Sequence, residues 1–241
     1  MKNNSESLIY QELSSYSNER KREKSYLFFQ AFEGGYGEGD VFLGVSVPDI
    51  RKVAKANYLS ILYHELVILL KNDIHEMRMC ALFMMIHHFE KKNSPISQEN
   101  IISLYLTHLN YINNWDLVDC SAYKLLGRYI YEGKADASIL YDLSKSSHLW
   151  TERVSVVATY YFIKRDSFDI TFRLCEHFLE HKHDLMHKAT GWMLKEIGKR
   201  DQTAEEMFLK AHYKHMARTT LRYAIEKFDA PLRLSYLNSK I

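Results

Sequence analysis

The sequence predicts an all-α protein built from paired-helix repeats, and four observations carry that prediction. Helix breakers are scarce: there are three prolines (Pro48, Pro95 and Pro231), and five of the nine glycines fall between Gly34 and Gly44. Apolar residues recur at spacings of three and four, as in Leu59, Leu62, Leu66, Leu69 and Leu70, and again in Leu185, Ala189, Trp192, Met193 and Ile197. No sustained two-residue alternation marks a strand. Finally, one pattern of a charged residue, any residue and a small residue recurs five times. The copies are Arg78-Met79-Cys80, Asp119-Cys120-Ser121, Arg153-Val154-Ser155, Lys188-Ala189-Thr190 and Arg222-Tyr223-Ala224, with the charged positions 41, 34, 35 and 34 residues apart.

In chain order, the apolar periodicity places helices at 5–18, 21–32, 48–56, 59–71, 74–91, 97–109, 115–131, 136–145, 149–165, 168–180, 184–200, 204–213, 217–228 and 231–238. A recurrence of 34–41 residues is the period of HEAT-like helix pairs, each of which shares its core with stacked neighbours. The expected architecture is therefore a curved α-solenoid with a basic concave face. It forms one repeat domain over residues 1–241, with repeats from about residue 48 and N-terminal helices plus a Gly-rich loop in 1–47. The charged position falls early in the second helix of each pair, and the small residue two further on lets neighbouring helices pack closely. The loop from Glu33 to Asp40 lacks the Gly-Lys-Ser/Thr ending of a phosphate loop and carries acids that disfavour phosphate, so it reads as a mobile connector.

Hydrophobic residues make up 46% of the chain, enough for a sizeable core, and the net charge of +2 does not by itself call for a polyanionic partner. Cys80, Cys120 and Cys175 are odd in number, widely spaced and set in apolar helical patterns, which reads as reduced, buried thiols rather than disulfides or a zinc site. No run of about 18 apolar residues suggests a membrane span, and the first residues carry no apolar signal region. The expected location is the cytoplasm.

Asp119 is the one acid in a row otherwise made of Arg78, Arg153, Lys188 and Arg222. Arg153 and Lys188, at matching positions of the next two repeats, are expected to keep it ionised. Trp115 lies one helical turn before Asp119, and Trp192 one turn after Lys188. Indoles and a carboxylate facing one groove make a box for a flat cation. The same residues equally fit core tryptophans and an aspartate that caps or salt-bridges. Basic residues thicken towards the C-terminus, among them Lys188, Lys195, Lys199, Arg218 and Arg222, and a basic groove with aromatics suits a phosphate backbone. His64-Glu65 and His75-Glu76 begin like a zincin motif, but Ile68 and Met79 stand where the second histidine belongs. His177 and His181, with His183 and His187 nearby, have zinc-like spacing but lack a clear third ligand, so no metal is expected.

From about Phe28 to Leu237 the chain resembles the AlkD-like DNA alkylation repair family. The segments that carry the resemblance are YGEGDVFLGVSVP from Tyr36 to Pro48, NNWDLVD from Asn113 to Asp119, LWTER from Leu149 to Arg153, HDLMHKATGWMLKEIGKRD from His183 to Asp201 and MARTTLRYAIEKF from Met216 to Phe228. The resemblance implies a HEAT-like solenoid that cups duplex DNA and a monofunctional glycosylase, working as a monomer, that removes cationic N3- or N7-alkylated purines. It puts the catalytic carboxylate on Asp119, the two cleft tryptophans on Trp115 and Trp192, and the cleft arginine on Arg153, with no metal or organic cofactor. Lys188, Arg78, Lys195, Lys199, Arg218 and Arg222 are the expected DNA contacts. Two other readings stay open: a non-catalytic binder of damaged or unusual DNA, and a protein-binding HEAT scaffold.

Overall fold

A computed structural model describes residues 4–241. Among these residues the regular structure is helical, with no strand beyond a single parallel bridge between Val41 and Ile74. The fold is an all-α helical repeat, as expected. Its contacts divide it into two compact units, one ending at Ser121 and one formed by Ala122–Ile241.

The first unit contains α1 (Asn4–Ser14), α2 (Glu19–Phe28), α3 (Val47–Asn57), α4 (Tyr63–Leu70), α5 (His75–Glu90), α6 (Gln98–Thr107) and α7 (Trp115–Ser121). Helix α5 is its core: 14 of its 16 residues are buried, the signature of a helix surrounded on all sides. Helices α1, α3, α4, α6 and α7 pack against it. Side chains such as Leu82 and Phe83 each contribute about 1.5–3 kcal/mol by leaving water. Helix α2 buries no residue; its start is capped by the Asn18 side chain, which accepts from the Lys21 amide at 2.9 Å, a contact worth about 1 kcal/mol. It ends earlier than the predicted 32 because Gln30 turns left-handed at φ 51°.

The second unit contains α8 (Arg128–Tyr131), α9 (Ser138–Ser144), α10 (Leu149–Ala158), α11 (Tyr160–Ile163), α12 (Asp169–His177), α13 (Asp184–Gly198), α14 (Gln202–His212), α15 (Arg218–Ala224) and α16 (Ala230–Leu237). The segment predicted as one helix over 115–131 is divided into α7, a π segment over Tyr123–Gly127 and α8. In the π segment the Gly127 amide reaches back five residues to the Ala122 carbonyl at 3.0 Å. Gly127 is needed there because a Cβ would lie 2.0 Å from the Ala158 carbonyl of α10. Helices α13 and α15 approach closely over Gly191, where a Cβ would meet the Tyr223 Cβ at 2.5 Å and the Thr220 carbonyl at 2.6 Å.

The repeated pattern has a structural counterpart. Asp119, Arg153, Lys188 and Arg222 are each the fifth residue of α7, α10, α13 and α15, and Arg78 is the fourth of α5. The small residues Cys80, Ser121, Ser155, Thr190 and Ala224 are all buried at helix contacts, as close packing requires. The charged positions are not equivalent: Arg78 and Arg153 are buried, Asp119 and Lys188 are half-buried, and Arg222 is exposed.

Candidate nucleic-acid site

Helix α7 carries the acid and the first indole. Trp115 and Asp119 are one turn apart, and both are half-buried. The start of the helix is set by the side chain of Asn114, which accepts from the Trp115 amide at 2.8 Å. The indole is then held in place. Its Nε1–H donates to the Tyr36 hydroxyl at 3.2 Å, and that hydroxyl donates to the Phe28 carbonyl at 3.1 Å. The rings of Phe28 and Phe29 lie 5.7 and 5.5 Å from the indole. Behind α7 the hydroxyl of Tyr105 meets Ser121 Oγ at 3.0 Å. Burial is the main reason its pKa is raised, and the nearby Cys120 and Asp119 add to the effect.

The Gly-rich loop is not the mobile connector expected from its composition. Tyr36 ties it to the Trp115 indole, and Asp40 ties it to α5. Gly37 sits so close to the Phe29 carbonyl that a Cβ would approach to 2.3 Å. At the loop's exit the Glu76 carboxylate accepts from the amides of Leu43, Gly44 and Val45 at 3.0, 2.8 and 3.2 Å. These bonds satisfy backbone donors that burial would otherwise leave unpaired.

Arg78, expected to contact DNA, does not fit that role. It is buried, paired to Asp40 at 2.6 Å, and donates to the carbonyls of Asn72 and Asp73 at 2.9 and 3.0 Å. Its charge is consumed inside the first unit.

The remaining predicted residues lie in the second unit. Buried Arg153 on α10 donates to the Leu185 carbonyl in the first turn of α13 at 2.5 Å. On α13, half-buried Trp192 donates to Glu196 at 3.1 Å and leans on Tyr160, 5.5 Å between ring centres. Lys188 pairs with Asp184 at 2.8 Å, Lys195 with Glu226 at 2.8 Å and Lys199 with Glu196 at 2.6 Å. On α15, Arg218 donates to the Leu237 carbonyl at 3.0 Å, and Arg222 stands exposed. The α13 cations are thus not a bare positive stripe. Exposed pairs of this kind are worth only about 0–1 kcal/mol, so a phosphate can displace their carboxylates at little cost.

The histidine cluster is used within the fold. His177 Nε2 meets the Ser144 carbonyl at 3.1 Å, His181 Nε2 meets Glu152 at 3.1 Å, and His187 Nε2 meets the His181 carbonyl at 2.5 Å. His183 Nδ1 accepts from the Leu185 amide at 3.1 Å. Among the described residues no three His, Cys, Asp or Glu side chains are placed to hold a metal ion. Cys80 and Cys175 are buried, but Cys120 is only half-buried, contrary to the expectation that all three are buried; its thiol donates to the Leu117 carbonyl at 3.3 Å.

A family model described as DNA alkylation repair enzyme matches residues 9–228. The chain belongs to the DNA alkylation repair enzyme family. Among solved structures it is similar to a predicted DNA alkylation repair enzyme from Enterococcus faecalis, with TM-score 0.68, 14% identity, and 89% of this chain and 97% of that one covered. It is also similar to AlkD2 from Streptococcus mutans, with TM-score 0.55, 16% identity, and 94% and 98% covered. The third, the smu.31 protein of Streptococcus mutans UA159, gives TM-score 0.53, 16% identity, and 93% and 99% covered. At such identities the likeness is one of fold. A search of curated proteins found no match.

In this DNA alkylation repair protein, sequence reasoning missed four residues beside Trp115: Tyr36, Asp40, His75 and Asp116. His75 bridges Asp40 at 3.0 Å and Asp116 at 2.9 Å, with its ring stacked on Phe29 and tilted against Phe42 at 5.1 and 5.0 Å. The available signal was the failed zincin pair His75-Glu76. A histidine and a glutamate at a helix start needed partners, and Asp40 and Asp116 lay in two of the segments that carry the resemblance.

Proposed function

We propose that this protein is a monofunctional DNA glycosylase that hydrolyses the N-glycosidic bond of cationic N3- or N7-alkylated purines in duplex DNA. The observation that carries this reading is the α7 face: Trp115 and Asp119 one turn apart, both partly open to solvent, with the indole fixed by Tyr36, Phe28 and Phe29. Membership of a DNA alkylation repair family supports the substrate class.

The chemistry suits these groups. An alkylated purine already carries positive charge, so it leaves as a neutral base with the electrons of the C1′–N bond and needs no strong general acid. The sugar then takes on oxocarbenium character, which a nearby carboxylate stabilises, as in glycoside hydrolysis. Asp119 provides that carboxylate and orients the water whose oxygen bonds to C1′, the water's proton passing to Asp119 and on to solvent. The Trp115 face contacts the electron-poor deoxyribose and the cationic base, an attraction of about 0.5–2 kcal/mol. Lys188, Lys195, Lys199, Arg218 and Arg222 contact the phosphate backbone, the three lysines exchanging their weak carboxylate pairs for phosphates. Trp192 and Arg153 are assigned by the resemblance to the same reaction; buried Arg153 would serve it through its bond to Leu185, which holds the start of α13.

The test is to incubate the intact protein with a duplex carrying 7-methylguanine and to measure free base and apurinic sites. Release of base with neither strand cleaved supports the reading. Salt-sensitive duplex binding without release would replace it with a non-catalytic DNA binder.

A further inference from the structure

His75 is the first residue of α5, and each of its ring nitrogens faces a carboxylate oxygen: Nδ1 lies 3.0 Å from Asp40 in the Gly-rich loop, and Nε2 lies 2.9 Å from Asp116 in the first turn of α7. A neutral imidazole has one N–H and one lone pair, so it can satisfy only one of these contacts; the imidazolium has two donors and satisfies both. The ring lies against Phe29 and Phe42, away from water. The two segments it joins are the same two joined by the hydrogen bond from the Trp115 indole to Tyr36. Asp116 adjoins Trp115 in the chain, and Asp40 lies four residues after Tyr36.

We propose that His75 is a positioning residue: as a doubly donating imidazolium it clamps the Gly-rich loop to the start of α7, and loss of its proton loosens the Trp115 indole from Tyr36 and disturbs the face that carries Asp119. The part concerning Asp119 rests on the glycosylase reading; the part concerning the indole does not.

The charged groups facing His75 are Asp116 from α7, Asp40 from the loop and Arg78 from α5, while Phe29 and Phe42 bring no charge. Burial, the largest influence, disfavours the imidazolium, and Arg78 does so weakly; the two carboxylates outweigh both and raise the His75 pKa to about 9. Asp40, which burial alone would push up, is held below the usual carboxylate range by His75 and Arg78. A histidine whose folded pKa lies above its unfolded value contributes its full stabilisation below about 6.5 and loses it as pH rises through about 9. The clamp is therefore closed at neutral pH and opens in mild alkali.

The experiment uses the full chain labelled with 5-fluorotryptophan. Its fluorine spectrum is followed from about pH 6 to pH 10, with the Trp115 signal assigned through Trp115→Phe. The expected result is one Trp115 transition with a midpoint near 9, and in His75→Gln no transition, with the signal already at its alkaline position at neutral pH. A Trp115 signal that stays flat in the wild type overturns the proposal, as does a transition with the same midpoint in His75→Gln or one abolished only by Tyr36→Phe. If His75→Gln does not fold, the wild-type and Tyr36→Phe titrations still decide. Single-turnover base release by the wild type should fall along the same alkaline limb, and His75→Gln should be at least about tenfold slower at neutral pH without matching loss of duplex binding. Release that is flat to the end of the titration while the fluorine signal moves overturns the link to Asp119. Absence of release at every pH refutes the glycosylase reading alone, because the fluorine titration still tests the clamp.

Discussion

The indole N–H of Trp115 donates to the hydroxyl of Tyr36 at 3.2 Å, joining α7 to a loop 79 residues earlier in the chain. This bond turns a Gly-rich segment into a wall of the candidate site. Tyr36→Phe keeps the ring and removes the acceptor, leaving the partly buried indole donor unpaired. The expected loss is about 1 kcal/mol of stability, a fall of about 2–4 °C in Tm by calorimetry. A larger fall in base release than in duplex affinity would show that the bond serves the reaction as well as the fold.

Of the cations in the repeat pattern, Arg222 is exposed and Lys188 half-buried, whereas Arg78 is buried. Replacing Lys188 and Arg222 together by alanine should weaken duplex binding and lower the slope of log affinity against log salt by up to about 1.8, measured by fluorescence anisotropy. Arg78→Ala should act on stability instead. It leaves Asp40 with His75 as its remaining cation and takes a donor from the Asn72 and Asp73 carbonyls, which costs about 1–3 kcal/mol in urea unfolding. A stable Arg78→Ala protein with impaired DNA binding would return Arg78 to the phosphate-contacting set.

Glu205 on α14 is buried against Gly198, and its Oε1 has no hydrogen-bond partner. Burial, reinforced by Glu206, pushes its pKa up to about 9, so the folded protein holds it protonated at neutral pH. For a carboxyl whose folded pKa is raised above 4.5, stability falls as pH rises from about 4.5 to about 9. Glu205→Gln should remove that slope and raise stability at neutral pH by about 1–3 kcal/mol. Parallel stability–pH curves for variant and wild type would contradict this.

Gly191→Ala should destabilise the α13–α15 contact by about 1–3 kcal/mol, because the new methyl group meets the Tyr223 Cβ and the Thr220 carbonyl. Thermal unfolding measures the change. An unaltered Tm would mean the two helices can separate without loss.

Much of the fold was legible because helical periodicity is a local property. The recurrent small residue marked helix contacts correctly, and the expected helix over 184–200 corresponds to Asp184–Gly198. What stayed hidden depends on partners distant in sequence. Arg78 and Lys188 look alike in the row, and only Asp40, 38 residues before Arg78, separates a buried ion pair from a surface cation. The glycines of the 34–44 segment suggested freedom, but Gly37 is there to admit the Phe29 carbonyl, and Tyr36 and Asp40 anchor the loop. His75 could be dismissed as a metal ligand from the sequence, yet its bridge required knowing that Asp40 and Asp116 meet at the start of α5. That Trp115 and Asp119 sit one turn apart on a helix was legible because a spacing of four is local.

The most direct test of the central claim is single-turnover release of 7-methylguanine from methylated duplex by wild type and Asp119→Asn at matched, saturating protein. Asn keeps the size and polarity of the side chain but removes the negative charge that would face the developing oxocarbenium. The account predicts unchanged thermal unfolding and duplex affinity, with release slowed by at least about a hundredfold, or about 2.7 kcal/mol of transition-state stabilisation. Equal release by wild type and Asp119→Asn would contradict it.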